Sequence, residues 1–175
     1  MSNFIGNMIA DSLSRGINYA DSLVKDLPAD QFARFAPGKE GPIVSNHPAF
    51  IVGHLSIYAP RVVDQLGQDA TAYQPTEAEN ALFSPAAKCQ DDPNGLIYPG
   101  KEVLLDRFTT VYQAALTTLR NATDDQFMVP NPAEGRLREL FPTLGGMHAF
   151  YTGGHFMLHM GQLSAWRRMM GMAPA

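Results

Sequence analysis

Gly153-Gly154-His155-Phe156-Met157-Leu158-His159-Met160-Gly161-Gln162 (GGHFMLHMGQ, residues 153–162) carries two of the five histidines in a chain of 175 residues. Four residues is a little over one helical turn, so on a helix both imidazoles leave from the same side. The flanking sequence, from Leu140–Pro142 to Gly171, reads as one helix. In it His148, His155, Gln162 and Met169 recur every seven residues, with Thr152, His159 and Trp166 beside them. A helix packed into a core normally presents leucine at such positions, so polar residues there call for a chemical reason. Glycines sharpen the anomaly: Gly145, Gly146, Gly153 and Gly154 each cost about 1 kcal/mol against alanine inside a helix. The pair directly before His155 reads as room for a neighbouring backbone or a ligand.

Three further helices are expected. The first spans about Asn3 to Leu27, with Ile5, Ile9, Leu13, Ile17, Leu23 and Leu27 near helical spacing, and stops at Pro28. The second begins at Ser45-Asn46-His47-Pro48, where Ser45 or Asn46 can cap and Pro48 suits the first turn. It runs to Gly67, with a kink or interruption at Pro60. The third spans about Lys101 to Asn121, with Val103, Leu104, Phe108, Val111, Ala115 and Leu119 on its buried side. The triplet Asp-Gln-Phe occurs after the first helix (30–32) and again after the third (125–127), each time followed by a Pro/Gly stretch and a histidine-bearing helix. This faint echo predicts an all-α chain, a single domain over 1–175: a four-helix bundle of two helical hairpins, 1–67 and 101–171. Residues 68–100 form the long connection between helices two and three, with one short helix near Glu77 to Phe83. Connections of that length often serve as lids or binding loops. In such a bundle helices two and four face one another.

Composition narrows the function. A net charge of −4 with scattered Lys and Arg gives no basic face for nucleic acid. No apolar stretch reaches the length of a membrane span, the N-terminal residues do not read as a signal peptide, and the single Cys89 suits a reducing compartment. A cytoplasmic protein without nucleic-acid or membrane partners is the expectation. The Met-rich and apolar helix ends suggest a homodimer. P-loop, GxSxG and GxGxxG motifs are absent, and Phe156 stands where an HExxH protease needs glutamate.

Helix two offers His54, preceded by Gly53 and embedded in apolar residues. Three neutral imidazoles on two facing helices, His54, His155 and His159, would make a divalent metal site with open positions for water or substrate. Gln162 shares the face of the pair and is a candidate to orient a ligand or, equally, to cap a buried carbonyl. His148, about 10 Å up the helix axis from His155, is too distant to hold the same ion and reads as pocket lining or a proton carrier. Tyr58 and Tyr151, one turn from proposed ligands, and Arg61 are further pocket candidates. His47 reads as a surface or capping residue, and Arg167 and Arg168 as solvated helix-end cations.

The pattern Gly53-His54-Leu55, then His155-x-x-x-His159-x-Gly161-Gln162 with a hydrophobic and basic helix end (Leu163, Trp166, Arg167, Arg168, Gly171), resembles the DinB/YfiT-like superfamily of metalloenzymes. The resemblance implies a four-helix bundle with His54, His155 and His159 as ligands to nickel, zinc, iron or manganese. Many relatives carry Trp shortly before the first ligand, where this chain has His47 and Phe50. Characterised relatives use small thiols such as bacillithiol or mycothiol, so the leading expectation is a metal-dependent enzyme on a small-molecule substrate, a thiol-dependent S-transferase. The alternatives are a metal-dependent hydrolase using bound hydroxide, a non-catalytic stress-response metal-binding module, and more remotely a haem-binding bundle.

Overall fold

A computed structural model of the protein describes residues 2–175. Among these residues the regular structure is all helical. Extended pairing is limited to two isolated bridges, Ala36 with Ile43 and Pro130 with Thr143. None of the helices is long and apolar enough to cross a membrane.

Helix α1 spans Phe4–Val24 and buries Ile9, Ala10, Leu13, Ala20, Leu23 and Val24, with Ile5 and Ile17 half-buried at the stripe's edge. The second predicted helix is divided into α2, Pro48–Ser56, and α3, Ala59–Gln65. Pro60 has no N–H to return to the Ser56 carbonyl, so the first helix stops and a new one starts with Pro60 in its first turn. The N-cap of α2 is His47 rather than Ser45 or Asn46. Its Nδ1 accepts from the Phe50 N–H (3.2 Å) and its Nε2 donates to the Gln90 carbonyl (2.8 Å). The capping role was legible, but the surface position was not: His47 is fully buried under the long connection.

That connection contains α4, Glu77–Phe83, where expected, started by a reciprocal capping pair of Thr76 and Glu79. It is strapped down along its length. Arg107 reaches Glu79 Oε1 (2.9 Å) and the Tyr73 carbonyl (2.8 Å). Asp91 accepts from the Arg34 guanidinium and from the Phe35 N–H, while buried Asp92 accepts from the backbone of Leu96, Ile97 and Tyr98.

Helix α5, Lys101–Asn121, matches its predicted bounds and buries Leu104, Phe108, Val111, Tyr112, Ala115, Thr118 and Leu119. Val103 is 62% exposed instead of buried. It precedes a stripe spaced four, three, four and four, so it projects about 100° away from the buried line. Short helices α6 (Asp124–Met128) and α7 (Arg136–Leu140) follow. The predicted fourth helix is α8, Leu144–Ala149, a π turn over Phe150–His155, and α9, Phe156–Met169. The two Asp-Gln-Phe triplets do occupy equivalent places: Phe32 and Phe127 are both buried, each followed by a bridge and then by α2 or α8.

The closely packed pairs are α1 with α5 and α9, α2 with α5 and α9, and α3 with α5. The two halves therefore interlock across each other, where the sequence suggested each half closing on itself as a hairpin. At Gly6 the contact is backbone to backbone, since a Cβ there would meet the Leu119 carbonyl. Arg167 fastens the other end. Buried against α1, it donates to the Leu23 carbonyl (2.8 Å), pairs with Asp26, and reaches the Ala173 carbonyl (3.2 Å). It is a clamp between helices and not the solvated cation expected from its place near a helix end.

Candidate metal centre

Facing α2 and the start of α9, His54, His155 and His159 converge, with one ring nitrogen of each within 4.8 Å of the others. The Nε2 atoms of His155 and His159 are 3.2 Å apart. His54 and His159 are each 7% exposed. His155, the last residue of the π turn, is half-buried.

The hydrogen-bond partners fix which nitrogen of each ring is free. His54 Nδ1 lies 2.7 Å from the Phe83 carbonyl, which can only accept, so that nitrogen carries the proton and Nε2 keeps its lone pair. His159 Nδ1 lies 2.9 Å from Gln162 Oε1, with the same consequence. Gln162 Oε1 also accepts from Asn46 Nδ2 at 3.2 Å. Of the two roles open to Gln162, this is the one of orienting a proposed ligand. His155 Nδ1 is buried and has no partner. Burial first, and the neighbouring rings His159 and His54 second, pushes the His155 imidazole down to about 4. Burial likewise lowers His54 and His159. Three neutral imidazoles with lone pairs gathered at close quarters, two of them braced from behind, are the donor set that divalent transition metals take. The residues present fit the ion.

The sequence produces this locally by two devices. A Cβ on Gly53 would stand 2.3–2.5 Å from the Phe83 ring, so glycine lets α4 lie directly on α2 and brings the Phe83 carbonyl to His54. The second is the π turn. Gly153 and Gly154 do not make way for another backbone: a Cβ on Gly153 would meet only Ser12 at 3.9 Å, and one on Gly154 only the Phe150 ring of its own turn. Their flexible backbone instead suits the wider turn, which sets the direction of His155.

Aromatic rings enclose the triad. Phe50 stacks on His54 (6.0 Å between centroids, 10° between planes), and Tyr58 lies 5.1 Å from His54 and 4.8 Å from His155. Tyr151 lies 5.4 Å from His155 and stacks on Tyr58 at 5.0 Å. The exposed Arg61 sits with its guanidinium 5.0 Å from the Tyr58 ring. His148 faces a separate cavity that shares Tyr58 and Tyr151 with the triad's surroundings, so the pocket-lining assignment fits and it stands off the triad. Burial raises the Cys89 thiol to about 11. Sequence reasoning missed Phe83, whose contribution is a backbone carbonyl and leaves no trace in side-chain pattern. It also missed Asn46 as a partner of Gln162, for which only its place before α2 gave a signal.

Two predictions arise here. Replacing Gln162 by Leu removes the acceptor from His159 Nδ1 and is expected to weaken metal binding about 10- to 100-fold, with Gln162→Glu retaining it. Competition with a chromophoric chelator measures this; unchanged affinity in the Leu variant would show that Gln162 does not support the site. The second concerns acid. Burial holds His148, 1% exposed, at about 4. Above pH 6.5 the folded and unfolded states are both neutral at this residue. As pH falls from 6.5 towards 4 only the unfolded chain takes the proton, so stability is lost across that window, by roughly 3 kcal/mol for this one group. Thermal melts of the metal-free protein should fall through that range, and His148→Gln should flatten the fall.

No curated protein sequence matches the chain. The model of one family, the DinB superfamily, matches residues 12–163, a span that takes in His54, His155, His159 and Gln162. With most of its length matched and a three-histidine cluster at the motif positions, the chain belongs to the DinB superfamily.

Proposed function

We propose that this protein is a metal-dependent enzyme acting on a small molecule, a thiol-dependent S-transferase, with His54, His155 and His159 holding one divalent ion. The helices α1, α2–α3, α5 and α8–α9 are read as a four-helix bundle with its site between the second and fourth members. The single observation that carries the reading is the convergence of three neutral imidazoles, two of them locked from behind by Phe83 and Gln162. Held by three uncharged donors, the ion would keep its double positive charge and stabilise a thiolate at neutral pH. Everything else is the work of the chain. Phe83 and Gln162 hold two rings in one orientation, Phe50, Tyr58 and Tyr151 wall the triad with apolar surface, and Arg61 offers a cation outside the Tyr58 ring for an acidic group. The net charge of −4 and the scatter of basic residues support a small-molecule substrate over nucleic acid.

Protein purified without an affinity tag is expected to contain about one divalent transition metal per chain, as an open three-ligand site requires. It is further expected to consume a small electrophile only when a low-molecular-weight thiol and the metal are both present. Turnover of model esters without thiol, lost on chelation, would replace the transferase with a hydrolase. Absence of metal, with none taken up on reconstitution, would remove the function altogether.

A further inference from the structure

His54 and His159 are buried, and of the three rings only His155 is half-buried, so the open side of the triad is the His155 side. The residues around that ring decide what is admitted. Phe150, 37% exposed, has its ring centroid 6.1 Å from that of His155 and stacks on Phe141. Leu158, 58% exposed, follows His155 by three residues and Gly154 by four, so it is their neighbour on the helix surface. Between Phe150 and Leu158 lies Gly154, exposed and without a side chain. A Cβ there would meet two atoms of the Phe150 ring, at 3.3 and 3.6 Å. Outside its chain neighbours and its own helix backbone, nothing else stands within 4 Å of that point. Besides suiting the wider turn, this glycine opens a notch beside His155 with an exposed apolar side chain at each end. The approach is also free of charge. No Asp, Glu, Lys or Arg occurs between Glu139 and Arg167, although Ala149, Phe150, Gly154, Leu158 and Gly161 are all exposed. An exposed helical face ordinarily carries charged residues, so their absence here sets the chemistry of the entrance.

We propose that this notch seats the electrophile of the transfer reaction, and that the electrophile is an uncharged molecule bearing a flat aromatic ring. The eight residues from Phe150 to Leu158 span about 12 Å along the axis. A ring in contact on both faces needs about 7–8 Å between the atoms that enclose it, and the two flanking side chains take up the remainder. One flat ring therefore fits where a bulkier body does not. Phe150 offers it an aromatic partner, with offset or edge-on packing open to both. A carboxylate or an ammonium entering here would lose its hydration with no opposite charge to pair with, so charge on the guest is selected against. Arg61, the cation open to an acidic group, belongs instead to the Tyr58 wall. The inference rests on the transferase reading only in calling the guest the electrophile; the notch itself needs no metal.

The test titrates nitrobenzene into the whole chain, metal-free, and follows the Gly154 amide and the ring resonances of Phe150 and His155. Phe4 and Met8, exposed apolar residues at the start of α1, serve as the reference for unspecific contact. Saturable shifts confined to the notch are expected at millimolar nitrobenzene. The charged analogue 3-nitrobenzoate should bind at least tenfold more weakly. Gly154→Leu fills the notch and should abolish the saturable shifts. Leu158→Lys, a surface change that stays informative if Gly154→Leu fails to fold, should reverse the preference in favour of 3-nitrobenzoate. Shifts that do not saturate, that appear equally at Phe4 and Met8, or that are equal for the two probes overturn the proposal. So does a Leu158→Lys variant that keeps the parent's preference. A chain that is dimeric in solution, with Phe150 and Leu158 protected in the contact, overturns it as well, because a second copy then covers the notch. Metal content of the same samples after reconstitution separates the two readings. Ring binding without metal uptake leaves the notch and removes the transferase, and metal uptake without ring binding removes the notch alone.

Discussion

His155→Ala is expected to abolish metal binding while leaving the metal-free fold as stable as before, or more so. Structural zinc is held by about 10–16 kcal/mol over four ligands, so one ligand of three carries roughly 3 kcal/mol, a hundredfold or more in affinity. The stability half of the prediction comes from the other side of the same ring. In the metal-free protein His155 Nδ1 is buried without a partner and its Nε2 faces that of His159 at 3.2 Å. Alanine removes both liabilities. It also removes a group whose folded value of about 4 lies below the ordinary 6.5. Below pH 6.5 the unfolded chain alone takes up that proton, so the variant's advantage should widen as pH falls to about 4. Elemental analysis and calorimetric melts at two pH values suffice. Loss of metal with a large fall in metal-free melting temperature at neutral pH would mean that His155 is a packing residue first.

Gly53→Ala is expected to damage both the fold and the site without touching a ligand. The added methyl would fall 2.3–2.5 Å from three atoms of the Phe83 ring, deeper than any contact a packed interior tolerates. Since α2 is buried on every side, the helix cannot retreat, and α4 must lift. Overpacking of this kind costs about 1–3 kcal/mol. The displaced Phe83 carbonyl then leaves His54 Nδ1, freeing the ring to rotate, with a further weakening of metal affinity by about 10- to 100-fold. The shortening substitution Phe83→Leu made together with Gly53→Ala should recover part of both losses. An alanine variant that melts and binds metal like the parent would show that α4 and the histidine are not coupled.

How much of this was open to reading from the residues alone depends on which atoms carry the information. Side-chain spacing disclosed the His155–His159 pair, the α5 boundaries and the interruption at Pro60; His54 came from its glycine and apolar setting, and for Gln162 the shared face left orienting a ligand and capping a carbonyl equally open. Long-range features were closed to it. Arg167 looks like any helix-end arginine until Asp26 and the Leu23 carbonyl are brought beside it from α1, and His47 looks exposed until Gln90 covers it. The hairpin picture failed for a related reason: apolar stripes say that a helix is covered, not by which neighbour. The glycine pair before His155 was noticed but misread, because a π turn is defined by backbone bonds to the fifth residue and leaves no periodic mark.

That turn has one more consequence. Seven residues on an uninterrupted α-helix bring a side chain back to nearly the same bearing, so His148 and His155 would look into one space. The additional residue held between Phe150 and His155 offsets the two halves by roughly 100°. It acts as a phase shifter, dealing one histidine to the cavity and the other to the triad. Deleting Gly153 or Gly154 would bring the halves back into step and swing the whole of α9, His159 and Gln162 included, off its mark. The protein thus keeps the cavity and the triad apart on one rod by a single surplus peptide unit, and its length in this stretch is as constrained as its chemistry.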